Sequence, residues 1–236
     1  MFKSFIVLQI LCTSSSTVRA SVLQATIAKQ LNAAMVHDMV QLNPASIDET
    51  DGDGFTALTF AAMDGNVDLV KALIAEKADV DRAGTDGTTA LMFASANDDL
   101  AEVVKVLIES GADVELGAVA ENETALMLAA EYGQTEAVRL LISAGASMER
   151  ASTMGHTALI LAIANNRSDV VDVLVQSGAR TTGLEGHAVV QKALENKFLV
   201  TFEYLQPLTD LNESFQGFTY LIQVIEESVK SAQRIA

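Results

Sequence analysis

The stretch Asp53–Asn66, "DGFTALTFAAMDGN", holds a tight turn, a hydroxyl residue, a small apolar run and a second turn within fourteen residues. Thr56 stands where its side-chain oxygen can cap a helix by accepting a hydrogen bond from a free backbone N–H. Leu58 and Ala61 lie one helical turn apart behind it and begin a packing face. The same arrangement then returns. Thr89, Thr124 and Thr157 also precede Ala-Leu, at spacings of 33, 35 and 33 residues. A period near 33 residues marks a stack of small structural repeats.

Each copy continues into a second apolar stripe. Val67, Val70, Leu73 and Ile74 follow helical spacing, as do Val138, Leu141 and Ile142, then Val171, Leu174 and Val175. Such a stripe belongs between repeats. Gly111, Gly145 and Gly178 follow at the point where a left-handed residue ends a helix, and Lys77 takes that place in the first copy. The four copies, "GFTALTFAAMDGNVDLVKALIAEKADV", "GTTALMFASANDDLAEVVKVLIESGADV", "NETALMLAAEYGQTEAVRLLISAGASM" and "GHTALILAIANNRSDVVDVLVQSGART", resemble ankyrin repeats from about Asp51 to Arg180.

The resemblance implies an all-α solenoid of stacked helix-turn-helix units with finger loops. It is incomplete at one motif: "TALT", "TALM", "TALM" and "TALI" stand where the family usually has Thr-Pro-Leu-His. Apolar Met92, Met127 and Ile160 at the histidine position point to packing in place of a polar bridge. The second copy also carries an extra residue near "SANDDLAE" and another in the loop "GADVELGAVAEN". The expected layout is a signal peptide over 1–20 and an N-terminal helical cap over 21–50. Repeats over 51–83, 84–118, 119–151 and 152–182 follow, then a degenerate repeat and C-terminal helical cap over 183–236.

Composition supports a helical, folded chain. Half of the 236 residues are hydrophobic, with two prolines, no tryptophan and 5% aromatics. The first twenty residues, "MFKSFIVLQILCTSSSTVRA", have a basic start at Lys3, an apolar run from Phe5 to Cys12 and a Val-Arg-Ala ending. That pattern reads as a secretory signal, too short for a membrane span of about 20 apolar residues; a mitochondrial presequence is its rival, which one arginine and a solid apolar block fit poorly. Cleavage after Ala20 removes the single cysteine, so packing alone must stabilise the mature chain. It also removes Lys3 and Arg19, taking the formal charge from −16 to −18. Such a charge opposes electrostatic binding to nucleic acid or anionic membranes.

Chemistry-bearing constellations are scarce. A calcium loop begun at Glu49 places Asp51, Asp53 and Gly54 well, but Phe60 falls where a bidentate carboxylate is required. His37, His156 and His187 show no metal-ligand spacing. No nucleophile stands beside a base, and no cofactor fingerprint occurs, so neither metal nor cofactor is expected. Asn-x-Ser/Thr triplets at Asn122, Asn166 and Asn212 are glycan acceptors in an exported chain. Asn122 and Asn166 also replace glycines at left-handed positions, which asparagine tolerates.

The resemblance implies a protein-binding, non-catalytic role on the concave finger and first-helix face. Carried onto this sequence, that face comprises Asp53, Phe55, Met63 and Asp64, then Asp86, Thr88 and Asn97. Glu121, Glu123, Glu131 and Tyr132 follow, then Met154, His156 and Asn165. Phe55 and Tyr132 are the expected aromatic anchors. Aligned Asp51, Asp53, Asp86, Glu121 and Glu123 imply an acidic ridge suited to a basic protein surface. Two alternatives stand beside this reading: an enzyme built around His187, Glu195 and Glu203, and an intracellular adaptor whose N-terminus is no signal.

Overall fold

A computed structural model describes residues 31–97 and 99–180, together with Val22 and Thr26. The expected signal peptide and the segment 183–236 lie outside the described residues, with Asn212, His187, Glu195 and Glu203. Among the described residues are nine α-helices and no strand. They are α1 Ala33–Leu42, α2 Ala57–Met63, α3 Val67–Ala75, α4 Ala90–Ala96, α5 Ala101–Glu109, α6 Ala125–Tyr132, α7 Thr135–Ser143, α8 Ala158–Ala164 and α9 Ser168–Gln176. Helices α2, α4, α6 and α8 stack in one row, and α1, α3, α5, α7 and α9 in another. The all-α solenoid is therefore two helices deep.

The first row begins on its threonines. Thr56 Oγ1 accepts from the Thr59 N–H at 3.3 Å, Thr89 from Met92 at 3.3 Å, Thr124 from Met127 at 3.4 Å and Thr157 from Ile160 at 3.4 Å. All four caps are buried. Thr59 returns the bond in the first copy, its hydroxyl accepting from the Thr56 N–H at 3.4 Å. Met92, Met127 and Ile160 are buried beside them, so apolar contact does occupy the histidine position.

In the second row Val70, Leu73, Val138, Leu141, Val171 and Leu174 are fully buried, while Val67, Ile74, Ile142 and Val175 are half-buried at the margin. Leu69, Val103, Val104, Leu107, Val170 and Val173 widen the stripe, because an interior repeat packs against neighbours on both sides. Each of these helices ends alike. The Ala78, Ala112, Ala146 and Ala179 N–H groups reach back to Leu73, Leu107, Leu141 and Leu174 carbonyls at 2.9–3.1 Å. This closure needs a left-handed residue before the alanine. Gly111, Gly145 and Gly178 supply it with φ of 91°, 91° and 94°, and Lys77 with 67°.

Successive units are tied by two ladders. The Thr85, Val119 and Thr153 N–H groups donate to the carbonyls of Asp53, Asp86 and Glu121 at 2.7–2.9 Å, joining finger to finger. At the other end of each unit, Asp48 Oδ1 accepts from Asp79 N–H at 2.9 Å and Asp81 Oδ1 from Asp113 at 2.9 Å. Glu115 Oε1 then accepts from Ser147 at 2.6 Å, and Glu149 Oε1 from Arg180 at 2.7 Å.

Candidate functional site

Four fingers project the loops that precede the first-row helices, and each closes by its own bond. The Asp51, Gly84 and Ser152 N–H groups donate to the carbonyls of Phe55, Thr88 and His156, each four residues on. Ala118 instead bonds Glu123, five residues on, at 3.0 Å. The extra residue of the loop "GADVELGAVAEN" thus sits in the third fingertip. Gly54, Gly87 and Gly155 turn these tips with positive φ, and Asn122 does so at 55°. Asp51 is committed to the turn: its Oδ1 accepts from the N–H groups of Asp53 at 3.0 Å and Phe55 at 2.9 Å. Asp86 Oδ1 accepts similarly from Thr88 at 2.8 Å.

The fourteen candidate residues fall on these fingers and the first-row helices, but in unlike states. Asp53, Met63, Asp64, Asp86, Asn97, Glu121, Tyr132, Met154 and Asn165 are exposed; Phe55, Thr88, Glu123, Glu131 and His156 are half-buried. Phe55 is not a free anchor. Its ring packs edge-on against Phe60 at 6.4 Å and Phe93 at 5.2 Å between centroids, and it covers Gly84 so closely that a Cβ there would collide. Asn97 and Asn165 turn their amides back on α4 and α8, donating to the carbonyls of Phe93 at 2.6 Å and Leu161 at 3.0 Å. Asp64 lies beside a cleft of about 260 Å³ with Thr26, Leu31, Ala61, Asn66 and Leu69.

Phe60 and Phe93 escaped the sequence reading, although both stand four residues beyond a cap threonine, with Leu128 and Leu161 at the same place. That period was a usable signal. Val119 was missed as well: it is 75% exposed on the third finger. Among the described residues the exposed large hydrophobic side chains are Leu42, Met63, Val119, Tyr132 and Met154, and all but Leu42 lie on this face.

The electrostatics follow the same division. The helices α2, α4, α6 and α8 and the fingers 51–56, 84–89, 118–124 and 152–157 contain no lysine or arginine. Lys71, Lys105 and Arg139 lie on the second row, where Lys71 approaches Glu102 at 3.8 Å. Arg150 and Arg167 border the face: Arg150 reaches Asn122 Oδ1 at 3.0 Å and Glu115 at 3.4 Å, and Arg167 Nε donates to the Glu131 carbonyl at 2.9 Å. Partial burial pushes the Glu123 carboxyl above its usual range, with Glu131 and then Glu121 adding to the shift by repulsion. No group of three metal-ligating side chains occurs among the described residues, and no helix there is long and apolar enough to cross a membrane.

A model of ankyrin repeats in three copies matches residues 24–118 and again 99–184. The chain belongs to the ankyrin-repeat family. No curated protein matches it. Ankyrin repeats generally mediate protein–protein interaction, usually as non-catalytic scaffolds. In this ankyrin chain the finger and first-row side carries exposed Met63, Val119, Tyr132 and Met154 together with the carboxylates of Asp53, Asp86 and Glu121.

Proposed function

We propose that the protein is a non-catalytic interaction scaffold that takes a partner with a basic surface on its finger and first-row face, in an exported or lumenal setting. The observation that carries the reading is the coincidence of Met63, Val119, Tyr132 and Met154 with fingers and first-row helices that contain no lysine or arginine, Arg150 and Arg167 standing only at their border. Apolar contact at such a patch supplies affinity, while Asp53, Asp86, Glu121 and Glu123 steer a cationic partner and set its orientation. The export part rests on residues 1–20 alone.

Affinity capture with paired variants tests it. One variant replaces Met63, Val119, Tyr132 and Met154 with serine; the control replaces exposed Asp68, Glu102, Glu136 and Asp169 on the second row with their amides. Asp169 serves there because Asp172 is half-buried with a buried carboxylate oxygen that lacks a bond. A genuine partner is lost by the first variant and kept by the second. Converting Asp53, Asp86, Glu121 and Glu123 to amides slows its association at low salt and flattens the salt dependence. A partner retained by the serine variant overturns the assigned face. Sequencing the mature N-terminus tests export separately: a start at Ser21 supports it, and an intact Met1 removes it.

A further inference from the structure

The fold separates two of the acceptor triplets. We propose that Asn166 carries an N-glycan in the folded protein and that Asn122 is closed to one; the inference rests on the export reading above. Asn166 lies exposed in the turn between α8 and α9 at φ 57°, and within the described residues its side chain makes no hydrogen bond. Ser168, the hydroxyl of its triplet, is likewise unbonded there and only half-buried at the start of α9. The left-handed backbone is one asparagine accepts at little cost, so the turn forms around the residue whether or not a sugar is attached.

Asn122 is the opposite case. Its Oδ1 accepts from Arg150 at 3.0 Å, and a Cβ at Gly117 would come within 2.5 Å of that oxygen. Thr124, the hydroxyl of its triplet, is 2% exposed and occupied in capping α6. A sugar on Asn122 Nδ2 must enter this crowded turn of the third finger, beside the amide oxygen that holds Arg150, whose Nε is already buried without a bond. Chains modified there complete the finger poorly.

In the transfer, Asn166 Nδ2 attacks the anomeric carbon of a lipid-pyrophosphate-linked oligosaccharide. The C–N bond forms, the anomeric C–O bond breaks, the amide loses one proton and the lipid pyrophosphate departs. The glycan then stands beside Asn165, at the end of α8 away from Met154 and His156. A seven-residue helix separates the two ends by about 10 Å, so the fourth finger stays open while the sugar borders the Glu131–Tyr132 end of the face, which Arg167 touches.

The test expresses the full chain in eukaryotic secretory cells, once with its own N-terminus and once with residues 1–20 replaced by an established leader. Secreted, folded product is deglycosylated in heavy-oxygen water and every acceptor mapped by mass spectrometry. With the borrowed leader, Asn166 is expected to be occupied on most molecules and Asn122 on few. Ser168→Ala, which keeps the turn asparagine, removes the Asn166 label; Asn122→Gln leaves it. An unlabelled Asn166, or equal occupancy at Asn122, overturns the proposal. A glycan at Asn166 that forms only with the borrowed leader upholds the site and overturns export.

Discussion

Single residues in this chain show their effect through backbone conformation and through charge. Lys77 closes α3 in the left-handed region, where a side chain strains the backbone and glycine does not. A Cβ at the equivalent Gly111, Gly145 and Gly178 meets nothing within 4 Å, so the cost at Lys77 is conformational rather than steric. Lys77→Gly is expected to raise stability by about 0.5–1 kcal/mol, the strain relieved less the added freedom of the unfolded chain. An unchanged or lower denaturation midpoint would show that the helix end tolerates lysine. Glu123 makes the electrostatic case. Its pKa is raised on folding, so its ionised form opposes the fold above that raised value, and protonation relieves the penalty as pH falls through it. Glu123→Gln should therefore be more stable than the parent near neutrality. The gap should close once the pH passes below the carboxyl's unfolded value of about 4.3. Urea titrations of both proteins across that range check the sign.

Between elements, the bonds that matter join one unit to the next. His37 on α1 meets Glu76 at the end of α3, Nδ1 to Oε1 at 2.7 Å. The hydrogen bond and charge of Glu76 raise the His37 pKa against a small burial effect, with Asp38 adding to them. A raised folded pKa means that the pairing contributes fully below the unfolded value, about 6.5, and is lost as pH rises through the folded one. Amide protection in α1, taken relative to the intrinsic exchange rate at each pH, should fall over that interval, and His37→Gln should abolish that fall while leaving α9 unaffected. The carboxylates of Asp48, Asp81, Glu115 and Glu149 perform a related task, each holding a backbone N–H 31 or 32 residues further on. Their regular spacing was visible in the sequence as an acid after Ile47, Val80, Val114 and Met148, but only stacking shows what those acids bind.

Across the whole molecule, stability is shared between neighbours because every unit contacts only those beside it. Leu107 is fully buried in α5, which packs on α3, α4 and α7. Leu107→Ala should cost about 2–5 kcal/mol through lost burial and the cavity left behind. Hydrogen exchange should report the damage mainly from α3 to α7, with α9 least changed; uniform loss along the chain would show one cooperative block instead. The charge distribution is also a property at this scale. Second-row lysines and arginine stand among acids, whereas the finger side keeps its carboxylates without basic neighbours on the same elements.

The sequence by itself determined what depends on a few adjacent residues: the repeat period, the threonine caps, the left-handed glycines with Lys77 and Asn122 among them, and the buried stripe. Capping and chain reversal act within a helical turn, so short motifs suffice to specify them. Tertiary structure alone decided what depends on residues some 33 apart becoming neighbours. Stacking places Phe93 against Phe55 and covers much of that ring, sets Arg150 against Asn122, and leaves Asp172 half-buried with an unbonded carboxylate oxygen. The physical reason is the range of the interactions: a side chain's exposure and partners are set by the next repeat, whose identity at that point no local pattern contains.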